Sequence, residues 1–121
     1  MYQKIESKAD IDRFLDAVNG LHDGYLIGVE YVHSGYGTGN PRWIDPEKTE
    51  LRLRFPVTSI WDAVVELRFT GVRAFRLRED GTDILECHVE FAGRDVLWSD
   101  DAEEADSFVR AKAMAWRLER S

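Results

Sequence analysis

Between Thr49 and Phe91 the chain alternates apolar and charged residues with a period of two, and this pattern limits its fold more than any other feature. Leu51, Leu53 and Phe55 alternate with Arg52 and Arg54, and Val65, Leu67 and Phe69 with Glu66, Arg68 and Thr70. Phe75 and Leu77 then alternate with Arg76 and Arg78, and Leu85, Cys87, Val89 and Phe91 with Glu86, His88 and Glu90. Successive side chains of a strand point to opposite faces, so these segments describe a sheet with one apolar and one solvated face. Thr70-Gly71 and Glu79-Asp80-Gly81 stand where tight turns would join the strands, which predicts an antiparallel meander.

Upstream the period changes. Ile11, Phe14, Leu15 and Val18 fall at helical spacing and form one apolar stripe. Ser7 with Asp10 three residues on has the shape of a capping box, and Asn19-Gly20 supplies a left-handed stop, so a helix is predicted over 8–18. After Leu21-His22-Asp23-Gly24 the period returns to two, with Tyr25, Ile27, Val29 and Tyr31 on one face of a strand. The glycine- and proline-rich stretch 34–49 reads as a long loop, a feature that is more often functional than a short turn. Val96-Leu97-Trp98 reads as a further short strand. Phe108–Leu118 has helical composition but places Phe108, Met114, Trp116 and Leu118 on one parity, which favours a strand.

These elements predict a single α+β domain over 1–121, with the N-terminal helix packed on a mostly antiparallel sheet of about six strands. Fourteen aromatic residues in 121 supply enough apolar area for one core. A single cysteine, Cys87, permits no internal disulfide, and there is no apolar run of signal-peptide or membrane-spanning length, so a cytoplasmic protein off the membrane is expected. The formal net charge of −7 argues against nucleic-acid binding and suits simple solubility, self-association or a basic partner.

No catalytic constellation or cofactor motif emerges from the spacing. His22-Asp23-Gly24 has two readings: a turn in which Asp23 accepts backbone hydrogen bonds and Gly24 takes an unusual φ, or a metal-binding or acid–base pair. In an extended segment the adjacent His22 and Asp23 side chains would diverge, and His33 lies a strand's length away, so no metal site is assigned. Gly35-Tyr36-Gly37-Thr38-Gly39-Asn40 lacks the Lys-Ser/Thr and the helix of a phosphate loop, but Tyr36 and Trp43 are aromatic candidates for a partner-binding surface. The acidic stretch Asp100, Asp101, Glu103, Glu104 and Asp106 is the second such candidate. Alternating Arg and Glu on the polar face predict cross-strand ion pairs, with an anion-binding arginine cluster as the competing reading.

Leu21-His22-Asp23-Gly24, then Leu51-Arg52-Leu53-Arg54-Phe55, then Glu66-Leu67-Arg68-Phe69-Thr70-Gly71-Val72, resembles a class of small bacterial proteins without assigned activity. It also resembles the immunity-protein families of polymorphic toxin systems, in which a His-Asp-Ser/Gly turn opens the first strand and a segment like Ala111-Lys112-Ala113-Met114-Ala115-Trp116 closes the sheet. The resemblance implies a non-enzymatic protein that binds and blocks a toxin partner. Two other readings stand beside it: a small metal-dependent enzyme centred on His22 and Asp23, and a structural homo-oligomer joined at an exposed strand edge.

Overall fold

The computed structural model describes residues 1–33, 48–78, 83–101 and 105–120. The Glu79-Asp80-Gly81 turn and most of the 34–49 loop lie outside them. Helix α1 (Lys8–Val18) begins where the capping signal places it: Asp10 N donates to Ser7 Oγ at 3.2 Å, and Asp10 Oδ2 accepts from Glu6 N at 2.9 Å. Asn19, left-handed at φ 51°, stops it. Ile11, Phe14 and Val18 are its buried stripe.

The strands are β1 (Gln3–Lys4), β2 (Gly28–His33), β3 (Thr49–Pro56), β4 (Ala63–Arg76), β5 (His88–Ala92), β6 (Asp95–Ser99) and β7 (Phe108–Arg120). They form one sheet in the order β2-β3-β4-β7-β6-β5, with β1 paired to the C-terminal half of β7 and every pairing antiparallel. The α+β architecture predicted from the pattern is the one observed, and the C-terminal segment is a strand.

The connectivity is less simple than a meander. Thr70-Gly71 is no turn: β4 runs through it to Arg76, so the two strands expected on either side are one. Gly71 has φ 65° and faces Lys112, and the Val72–Ala74 register shift leaves Arg73 as an extra residue on β4. Before this point Leu67, Phe69, Met114 and Trp116 face the core; beyond it Val72, Ala111 and Val109 do. The change of parity explains why Phe108 does not share a face with Met114 and Trp116, as strict alternation predicts. Arg73 is held by Asp95, which Arg110 also meets at 2.9 Å.

The bend curls the sheet on itself. β6 returns across β3 and β4, so that Trp98 lies 5.6 Å from Phe55 and 6.5 Å from Phe69, ring centroid to centroid. α1 closes one end, with Phe14 5.5 Å from Trp116. Cys87 is buried in this core, and burial pushes its thiol up to about 12 against the opposing effect of the Trp98 indole, which makes it inert at neutral pH. Leu85, expected in the same strand, lies before β5 and is exposed.

A side chain at position 71 would meet both a left-handed backbone and the Lys112 Cβ at 2.8 Å, whereas at Gly93 (φ 64°) nothing lies within 4 Å. Gly71→Ala is expected to cost about 2–3 kcal/mol and Gly93→Ala about 1 kcal/mol, the left-handed penalty alone. Urea midpoints of the two variants, at unchanged slope, measure the difference.

Candidate functional site

The His22-Asp23-Gly24 segment is a type II turn: His22 has φ −53° and ψ 128°, Asp23 has φ 60°, and Gly24 N donates to Leu21 O at 2.8 Å. The left-handed position is thus filled by Asp23, and Gly24 serves by having no side chain. A Cβ there would lie 2.8 Å from Leu21 O and 3.2 Å from Pro56 O. The expectation that Gly24 supplies an unusual φ is therefore replaced by a close backbone approach.

The turn ties three segments together. Asp23 N donates to Ile84 O and Ile84 N to Gly24 O, both at 2.8 Å. His22 Nδ1 donates to Leu85 O at 2.9 Å, while Thr58 Oγ1 donates to His22 O at 2.6 Å. Because the residues turn and do not extend, the His22 and Asp23 side chains converge: Nε2 and Oδ2 are 3.4 Å apart. One ring nitrogen is engaged by the backbone, and among the described residues no group of three or more His, Cys, Asp or Glu side chains could hold a metal ion.

The polar face of the sheet is a closed ion network. Glu50 bridges Arg52, at 2.7 Å, and Arg68. Glu119 bridges Arg54 at 2.7 Å and Arg117 at 2.8 Å. Glu66, only 5% exposed, accepts from Tyr2 Oη at 2.7 Å and from Arg117 Nη2 at 3.0 Å. The Tyr2 ring lies within 5.2 Å of Arg68 and 4.6 Å of Arg117, measured from its centroid. Arg52, Arg54, Arg68 and Arg117 each have a carboxylate partner, which is the ion-pair reading of this face and not the anion site.

Of the acidic candidates, Asp100 Oδ1 accepts from Asp106 N and Ser107 N, and Asp106 pairs with Arg78 at 2.7 Å. The first contact joins Asp100 to residues 106–107, and the second joins Asp106 to the chain just after β4. Asp101 is half-buried, with its backbone carbonyl accepting from Ser99 Oγ. Glu103, Glu104, Tyr36 and Trp43 lie outside the described residues.

The feature that sequence reasoning missed is at the other margin of the sheet. β2 is an edge strand, and among the described residues nothing pairs with its outer side. Val29 and Tyr31 stand opposite Leu53 and Leu51, so they continue the inner, apolar face beyond the part the curl covers. Val29 is 51% exposed, Ile27 50% and Tyr31 43%. An open groove of about 610 Å³ lies between residues 26–29 and Phe75–Arg78, and Tyr31, outside its lining, packs 5.2 Å from Phe75, centroid to centroid. The alternation of Ile27, Val29 and Tyr31 is legible in the sequence, but that the curl leaves them half-exposed is not. Trp61, 93% exposed in the β3–β4 connection, had a signal of its own: it stands outside both alternating runs.

No protein-family model, curated protein or solved structure matches this chain.

Burial raises the Glu66 carboxyl, but the Tyr2 hydrogen bond and the Arg117 and Arg52 charges outweigh it and hold the group below the ordinary carboxylate range. A carboxylate depressed on folding stabilises above its unfolded pKa, about 4.3, and loses that contribution as pH falls through the lower folded value. Glu66→Gln is expected to cost about 1–3 kcal/mol near neutral pH, a gap to the wild type that narrows towards pH 3 in urea unfolding.

Proposed function

We propose that this protein works by binding another polypeptide, an extended segment of which adds to the open edge of β2. The carrying observation is the half-exposed strip of Ile27, Val29 and Tyr31 beside an open groove, on a strand whose outer backbone groups have no pairing among the described residues. Strand addition uses such an edge: the ladder supplies affinity, and alternate side chains entering an apolar groove supply specificity. The strip is apolar and offers contact area; the one polar side-chain contact within β2 among the described residues is Tyr31 Oη with His33 Nε2 at 2.8 Å.

The net charge of −7 favours a basic partner through long-range steering. An immunity-like blockade of a toxin is the form that the sequence resemblance implies. Asp100 and Asp106 then contribute to the field more than to contact, since Asp100 accepts from the 106–107 backbone and Asp106 pairs with Arg78.

The test is capture of basic proteins from the source lysate at low and high salt, by wild type and by a V29K/Y31K variant. The expected result is an equimolar basic companion, released by high salt and held at least about tenfold less well by the variant, as for loss of central apolar anchors. A companion that the variant holds equally well would move the binding surface away from β2.

The 3.4 Å approach of His22 to Asp23 keeps a metal-binding or small enzymatic site as the second reading. Elemental analysis of purified protein separates the two. Stoichiometric metal, lost in His22→Ala, would carry the assignment to that site; binding at β2 predicts that His22→Ala changes stability alone.

A further inference from the structure

We infer that the β2 edge has a second occupant built into its own sequence: a second copy of this chain, paired antiparallel across a two-fold axis at Val29. The inference rests on the reading of β2 as an open edge, and it names what covers that edge when no other partner does.

The argument is one of register. A two-fold axis perpendicular to the sheet keeps the inner faces of both copies on the same side, so odd residues must face odd ones. A one-residue slip would set the apolar strip of one copy level with the charged face of the other. Three registers put the axis on Glu30, Tyr31 or Val29. With Glu30 on the axis, two like charges face each other directly, which is destabilising. With Tyr31 on the axis, Glu30 faces the second copy's Val32, and Val29 faces its His33. With Val29 on the axis, Gly28–Glu30 pair with the same residues of the second copy, and the exposed Ile27, which precedes β2, comes level with the second copy's Tyr31.

That third register also solves the outer face. Glu30 then faces the second copy's Gly28, which has no side chain to obstruct it. At Gly28 a Cβ would lie 3.5 Å from the Arg54 Cβ and Cδ, so the Arg54 stem lies directly beyond the vacant position. Gly28 and Arg54 are paired in register, as are Glu30 and Arg52. Each Glu30 therefore comes to rest between its own Arg52 and the second copy's Arg54, twice over by symmetry. Glu30 has no ion pair of its own within 4 Å among the described residues, whereas the neighbouring Glu50, Glu66 and Glu119 are all engaged. Within one copy its charge acts on Arg52 opposite without a direct ion pair, so a contact with Arg54 of the second copy would be its first close one.

Two consequences separate self-pairing from capture of a basic partner. Each copy carries −7, so screening by salt strengthens the dimer, whereas it weakens a complex with a basic protein. Partner and second copy also compete for one edge, so the dimer holds β2 covered until a better strand displaces it.

The experiment is sedimentation of the full chain over a range of concentration at low and high salt, for wild type, Glu30→Arg, Arg54→Glu and the double exchange. Wild type is expected to dimerise more tightly at high salt. Glu30→Arg should weaken the dimer at least about tenfold, although it lowers the net negative charge, and the double exchange should restore it. Oxidation of Val29→Cys should give a disulfide-linked dimer and that of Tyr31→Cys should not, with buried Cys87 left in place. A wild type that is monomeric at every concentration, a Glu30→Arg dimer as tight as wild type, or faster cross-linking at Tyr31→Cys would each overturn the inference. None of these outcomes bears on capture of a basic partner, which the V29K/Y31K variant tests separately; Glu30→Arg keeps the apolar strip and should still capture it.

Discussion

The pairing of β4 with β7 is the constraint on which the rest of the molecule depends. These are the two longest strands, and they are matched from Ala63↔Arg120 to Arg76↔Phe108. A pair this long twists, and the irregularity at Gly71 and Arg73 turns twist into a curl by reversing which side of each strand meets the core. The curl lets Trp98 reach Phe55, and so a single sheet with one short helix encloses a core. It reaches β2 only in part, where Phe75 meets Tyr31. The margin of the inner face carrying Ile27, Val29 and Tyr31 is left half-exposed, and that margin is where the functional proposal rests.

Charge is distributed with the same economy. On the polar face, Glu50, Glu66 and Glu119 are shared among Arg52, Arg54, Arg68 and Arg117, with Tyr2 laid over two of the guanidinium groups. Surface ion pairs taken singly contribute little, but a network closed around a buried carboxylate fixes register, because a slip would leave Glu66 unpaired out of water. The acidic surplus is therefore found elsewhere, with Asp83 and Glu86 exposed along the seam where the His22 turn meets 83–87, and Asp16 exposed on α1. His22 is the fastening of that seam: its ring and its neighbour's amide both bond the 84–85 backbone, and its carbonyl accepts from Thr58.

Much of this was legible in the residues. Helical spacing from Ile11 to Val18, the Ser7–Asp10 cap and the Asn19 stop place α1 at its observed bounds, since each rests on local geometry alone. Alternation likewise places Leu51–Phe55 and Val65–Phe69 inward. The failures share a cause. Gly71 looks like a turn because glycine after threonine ends many strands, yet here its positive φ bends a strand that continues. Phe108 was placed by parity with Met114, and parity fails across a bulge whose existence depends on a partner strand about forty residues away. The divergence expected of His22 and Asp23 assumed an extended backbone where there is a type II turn. That β2 forms the margin of the sheet follows from the order of strands, which alternation does not encode.

Residue-resolved hydrogen exchange, on protein diluted until it sediments as a monomer, tests the central claim most directly. If β4–β7 is the spine and β2 an open edge, the amides of β4 and β7 exchange only with global unfolding. Alternate amides of Gly28–His33, those turned away from β3, then exchange orders of magnitude faster than their neighbours. Uniform protection along β2, equal to that of β4, would mean that the edge is already covered in the monomer, and the proposal that another strand adds there would be wrong.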